Sequence, residues 1–267
     1  MKNKQIPVLL ASALTTAAPA ALVAQWDFEE GSGTTTTANP PSGGIVSDVL
    51  GTSVSWTTNT PGAASTSAIS FDGTGRFGTN LNAATVGING SGAKTIVSWI
   101  RTTQADKRYF WGWSPDNGLV PGSDLRFAIE DSGKLRFEVS GGFTRYDDLS
   151  LNDGEWHMVA AIINPGDTIA DVDFYIDGNL YAPTANTTAT INTTGTGTGG
   201  AANPNEFFFA SGGNTNSQLW IGDLDDFRIY DTALTETELD GIYSAIPEPS
   251  SAFLGGLGLL ALLRRRR

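Results

Sequence analysis

Four stretches of the 267-residue chain carry side chains whose type and spacing could do chemistry. Asp223-Leu-Asp-Asp-Phe-Arg-Ile-Tyr230 is the densest in carboxylates. Read as a strand, it puts Asp225 on the side of Phe227 and Ile229, which belong in a core, with Asp226 and Arg228 opposite. A carboxylate entering a buried face has to be neutralised, either by a hard cation such as calcium, which takes several oxygen ligands, or by turn amides. Arg108-Tyr-Phe-Trp-Gly-Trp113 alternates rings at Tyr109, Trp111 and Trp113. Three coplanar rings could stack on sugar faces, but the same alternation also describes the core side of a strand. Phe143 and Tyr146, in Gly141-Gly-Phe-Thr-Arg-Tyr146, read as loop aromatics placed to meet a ligand, whereas Phe207-Phe-Phe209 sends rings to both faces and reads as buried strand. His157, the single histidine, has no Gly-x-Ser-x-Gly turn to serve and reads as a hydrogen-bonding residue within a sheet. Asp171-Val-Asp-Phe-Tyr175 sets its aspartates in solvent and turns Val172, Phe174 and Ile176 inward.

Composition excludes more than it supports. The absence of cysteine removes disulfide scaffolds, thiolate zinc sites and cysteine catalysis. With 16 basic against 28 acidic residues, the net charge of −12 disfavours nucleic acid or an anionic membrane surface as partner. The length suits one large all-β domain or two small ones, and at 40% hydrophobic the chain can bury a sizeable core.

Both ends read as addresses. Residues 1–24 run from Lys2 and Lys4 through an apolar stretch to the small residues that end at Ala24, the order of a secretory signal peptide. Signal peptidase cleavage is placed after Ala24, with a cut after Ala20, following Ala18-Pro-Ala20, as the alternative. Residues 246–267 hold Pro247, Glu248 and Pro249, an apolar stretch from Ala252 to Leu263, and Arg264, Arg265, Arg266 and Arg267. Twelve helical residues reach only about 18 Å, short of a bilayer core of about 30 Å, and the arginines hold that end on the cytoplasmic side. These three parts resemble the PEP-CTERM sorting tail of exported proteins of Gram-negative bacteria. The resemblance implies an exosortase that cuts near Pro-Glu-Pro. It also implies transient inner-membrane anchoring through this tail alone, then release to the cell surface or extracellular matrix.

Between the ends, residues 25–245 must build whatever positions these groups. Leu125–Glu130 and Lys134–Val139 alternate around a three-residue turn closing on Gly133, a hairpin. Met158–Ile163 and Asp171–Ile176 form a second hairpin across Asn164-Pro-Gly166, and Lys94–Arg101 is a further strand with Val97 and Trp99 on one side. Thr235-Glu-Thr-Glu238 is a capping box opening a helical turn whose apolar stripe is Leu239, Ile242 and Tyr243. Gly31–Gly44 and Thr184–Pro204 read as long surface loops. The expected fold is all-β: an antiparallel two-sheet sandwich with one short helical turn near the C-terminus.

Six segments in order make the resemblance specific for fold. They are Trp26–Gly33, Ile69–Gly73, Thr95–Arg101, Gly154–Ala160, Phe174–Gly178 and Ile221–Asp231. The chain resembles the laminin-G-like jelly rolls of the concanavalin A-like lectin/glucanase superfamily. That fold carries lectins, adhesion modules and glycosidases alike. In glucanases of the fold two glutamates flank an aspartate on one strand; Asp171-Val-Asp-Phe-Tyr175 departs from this pattern, so no catalytic residue is assigned. In related domains a calcium often lies near the last strand and the first turn, which implies Asp225 as a ligand and Glu29 as a second. Thr34–Asn39, however, stands where relatives often carry aspartates. The expectation is an exported, non-catalytic domain that binds or organises surface polysaccharide. A structural or adhesive protein without a small ligand, and a glycoside hydrolase or lyase, are the alternatives.

Overall fold

The computed structural model describes residues 20–39, 46–50, 53–114, 121–193, 206–212 and 217–246, with only the backbone of 46–49. Most of the expected signal peptide and the whole Pro-Glu-Pro, apolar and arginine run lie outside the described residues. The strands, in chain order, are β1 Leu22–Trp26, β2 Thr35–Ala38, β3 Val46–Val49, β4 Val54–Thr57, β5 Ala68–Asp72, β6 Phe77–Gly78, β7 Lys94–Arg101, β8 Arg108–Trp113 and β9 Leu125–Glu130. They continue with β10 Lys134–Val139, β11 Gly142–Tyr146, β12 Trp156–Ile163, β13 Asp173–Ile176, β14 Asn179–Tyr181, β15 Ala185–Asn186, β16 Phe207–Phe209 and β17 Ile221–Tyr230, followed by helix α1, Glu236–Ala245.

Two antiparallel sheets result. The first runs β14-β13-β12-β7-β17-β1-β2-β3, with β5 also pairing β17 and β4 pairing β5. The second runs β15-β11-β10-β9-β8-β16-β6. Alternation sends one face of each sheet into a shared core, where Trp26 meets Phe207, Phe209 and Phe227 at 5.2–6.4 Å between ring centroids. The other face of the first sheet is not left to solvent. Val97, Trp99, Met158, Ala160 and Tyr175 form a second apolar cluster closed by Leu239 and Ile242 of α1. Tyr243 stacks on Trp99 at 5.6 Å, and Tyr175 Oη donates to Asp240 at 2.7 Å. Thr235 caps the helix as expected, accepting from the Glu238 amide while Glu238 Oε2 accepts from the Thr235 amide.

Five expectations need correction. Thr184–Pro204 is not all loop, because Ala185–Asn186 forms β15 beside β11, and Phe143 and Tyr146 lie on β11 itself rather than in a loop, held there by pairing with β10. The Gly31–Gly44 stretch is not all loop: Thr35–Ala38 forms β2 between β1 and β3, with Thr36 and Ala38 fully buried. Branched threonine suits a pleated surface, and neighbouring strands supply the burial that this segment cannot supply alone. The ring stripe is split by a β-bulge between Tyr109 and Trp111. Phe110, Trp111 and Trp113 all enter the core, so Trp111 and Trp113 form no exposed sugar platform. A second bulge between Asp225 and Arg228, with Asp226 at φ +43°, breaks the alternation of β17. The core residue before that bulge is Leu224, and Asp225 lies opposite Trp99, a residue of the helix-covered face.

Candidate functional site

With α1 over the first sheet, the open face belongs to the second. The core takes Leu125, Phe127 and Ile129 of β9 and Leu135, Phe137 and Val139 of β10, leaving Arg126, Glu130, Lys134, Arg136 and Glu138 outward. Register sets Glu138 between Arg126 and Phe143, and Arg136 beside Arg145. The bulge that pushes Trp111 inward leaves Tyr109 turned to this outer face. A groove of about 340 Å³ forms there, walled by Lys107, Tyr109, Arg126, Arg136, Phe143 and Thr187 and by the Gly141–Gly142 backbone, with Glu138 in its floor. Gly142 has no room for a side chain: a Cβ there would stand 2.6 Å from the Ala189 Cβ.

Glu138 is the hub of the groove. Its carboxylate accepts from Lys107 Nζ at 2.8 Å, from Arg136 Nε at 2.5 Å and from the Tyr109 hydroxyl, and pairs with Arg126 Nη1 at 3.0 Å. Burial would raise its pKa, but the Arg126 charge and the Lys107 and Tyr109 donors outweigh burial and hold it below the usual carboxylate range. An acid so held is a poor proton donor. Burial and the neighbouring Glu138 drive the Tyr109 hydroxyl far above its ordinary value, so it stays a donor. Arg126 also pairs with Asp124 at 2.8 Å, and Arg136 with Glu130 at 3.0 Å. Each groove cation is thus matched by a carboxylate, although a guanidinium with five N–H groups keeps donors to spare. Arg136 lies 3.8 Å over the Phe143 ring and Lys107 4.8 Å from that of Tyr109. Charge-balanced, rich in donors and acceptors and flanked by two rings, the groove can receive a hydroxyl-bearing ring.

Tyr109 and Phe143 therefore meet at one site. Tyr146 does not join them; it packs on Tyr181 at 4.6 Å and against the core. Lys107, Arg126, Arg136 and Glu138 were missed from sequence, although one signal was legible: the outward positions of both hairpin strands are charged with a single exception, Ala128.

Asp225 lies where β17 changes partners. It pairs with β5 up to Leu224 and with β1 from Phe227 on, and the gap opposite Asp225 and Asp226 is bordered by the segments after β1 and before β5. Asp225 is fully buried, accepting from Ser65 Oγ at 2.7 Å and from the Asp226 amide at 2.8 Å. Burial first, then the charges of Asp226 and Glu29, push its pKa up to about 8 against the Ser65 hydrogen bond. Asp226 is matched by Arg228, 2.8 Å away, and by Gln25, whereas among the described residues no cation pairs with Asp225. Glu29 bridges the gap by accepting from the amide and hydroxyl of Thr66. Two carboxylates, a serine hydroxyl and nearby carbonyls are an all-oxygen donor set that fits a hard cation. Among the described residues no three His, Cys, Asp or Glu side chains group for a metal, so carbonyls would have to complete the shell.

His157 sits between carboxylates, with Nδ1 2.6 Å from Asp177 and Nε2 3.1 Å from Asp153. Burial opposes its charge, but the two partners, Asp177 foremost, raise its pKa. Asp171 closes a 3₁₀ turn by accepting from Thr168, and Val172, Phe174 and Ile176 are core.

Comparison with known proteins agrees with this fold. Residues 72–240 match a laminin-G family described as the concanavalin A-like lectin/glucanases superfamily, and residues 245–267 match the PEP-CTERM protein-sorting motif. The binding domain of the Paraclostridial Mosquitocidal Protein 1 superposes with a TM-score of 0.55 at 17% identity, covering 84% of this chain. The chain spans about half of that domain, 52%. Domain 4 of AbnA, an extracellular GH43 arabinanase from Geobacillus stearothermophilus solved with arabinotriose, superposes at 0.54 and 16% identity, over 85% of this chain and 99% of that one. A sialidase of Trypanosoma rangeli follows at 0.53 and 14%, over 89% of this chain and 35% of the enzyme. No curated protein matches at a significant level.

Proposed function

The chain belongs to the concanavalin A-like lectin/glucanase superfamily and carries a PEP-CTERM sorting motif, and from that premise we propose an exported, non-catalytic domain that binds a neutral glycan in the groove around Glu138. A PEP-CTERM tail implies an exported, surface-targeted protein of a Gram-negative bacterium, with an exosortase as processing partner. The observation that carries the binding reading is the Glu138 groove itself, set on the sheet face that α1 leaves open. Its matched charges favour hydroxyl groups over a charged sugar. What supports a non-catalytic role is the state of Glu138, held ionised by four donors and so without a proton to give. Calcium enters the same reading as a structural ligand of Asp225 and Glu29, where it would neutralise the buried carboxylate and pin the segments on either side of the gap.

The neighbouring arabinanase domain was solved with arabinotriose, which makes arabino-oligosaccharides the first probes. On a glycan array the wild type should be retained on neutral oligosaccharides, and Phe143→Ala should lose that retention with little change in thermal midpoint. An array blank both with and without calcium would leave a structural or adhesive role instead. Reducing-sugar release from host exopolysaccharide would overturn the non-catalytic part.

A further inference from the structure

Strand β1 begins before the small-residue run of the leader has ended. Leu22 and Ala24 pair with Tyr230 and Ile229 of β17, and the Asp231 amide donates to the Ala21 carbonyl at 3.2 Å. Ala24 is fully buried and Val23 nearly so, while Ala20 and Leu22 pack against the apolar cluster beneath α1. β1 is an interior strand, with β17 on one side and β2 on the other.

We infer that signal peptidase cuts between Ala20 and Ala21, so that all of β1 belongs to the mature protein. Two independent constraints meet at that bond. The peptidase needs small side chains one and three residues before the cut; Ala18-Pro-Ala20 supplies both, whereas Leu22 spoils the site after Ala24. The fold needs residues 21–24. A chain beginning at Gln25 would lose three of the five residues of an interior strand, unpairing the backbone of β17 near Tyr230 and opening the packing around Val23 and Ala24. It would also place a charged α-amino group beside Trp26, itself fully buried. Export precedes folding, so the fold does not direct the peptidase; the sequence satisfies both demands at one bond. The step is a hydrolysis: water adds across the Ala20–Ala21 amide, leaving a carboxylate on Ala20 and an ammonium on Ala21.

The test is the N-terminal sequence, read by mass spectrometry, of the full chain exported with its own leader from a Gram-negative host. A mature chain starting at Ala21 is expected; one starting at Gln25, or one that keeps its leader, overturns the assignment. Ala20→Leu, with a large side chain next to the bond, should accumulate uncut precursor. Unchanged processing of that variant would equally overturn it.

Discussion

Single residues here are governed by whether a charge or ring finds its complement inside the fold. Trp111 is fully buried against Phe207 and Phe227, at 5.4 and 5.3 Å. Trp111→Ala should therefore cost about 3–5 kcal/mol of stability and show as a collapse of the thermal midpoint rather than as selective loss of binding. Asp225 has a folded pKa of about 8, above its unfolded value. Its contribution to stability is full below the unfolded pKa, near 4, and is lost as pH rises through 8. Without added calcium, stability should fall between those limits, and Asp225→Asn should flatten the fall in melting curves taken across pH. Calcium should restore the wild type at pH 8 but not the variant. His157 titrates with the same sign: its folded pKa is raised, so its ion pairs stabilise below about 6.5 and fade as pH climbs past the folded value.

At the scale of elements, alternation was legible and its interruptions were not. Both hairpins, β7 and the capping box were read from period and turn residues, because those signals are local. The two bulges that decide the site were not, because each is a mismatch between paired strands, visible only once the partner is known. One re-aims Tyr109 into the groove, and the other leaves Asp225 at the gap between β1 and β5. Helix α1 is short and depends on its cap. Thr235→Ala should cost about 1 kcal/mol, measurable by chemical denaturation, and should loosen the cover over Trp99 and Tyr175.

At the scale of the molecule, charge and the packing of Leu22 and Ile246 distinguish the two sheets. Without Lys2, Lys4, Glu248 and the four terminal arginines, 10 basic residues remain against 27 acidic ones, a net of −17. Within that acidic domain the groove is an island of matched charge. Retention on a neutral glycan should therefore change little between low and moderate salt in affinity chromatography. Leu22 near one end and Ile246 at the other both pack on the cluster under α1, on the side of the first sheet away from the groove.

The amino-acid order alone determined the two-sheet β-sandwich, the superfamily, the sorting tail and the helical cap, because periodicity, turn chemistry and contiguous motifs are written within single segments. It also singled out Asp225 as a carboxylate in need of a partner. Only the tertiary structure gathered Lys107, Tyr109, Arg126, Arg136, Glu138 and Phe143 around one groove, since they come from four strands and a loop whose register no single segment encodes. It alone sent Trp111 and Trp113 into the core and drew Ala24 into β1, because burial is a property of the neighbours and not of the segment that is buried.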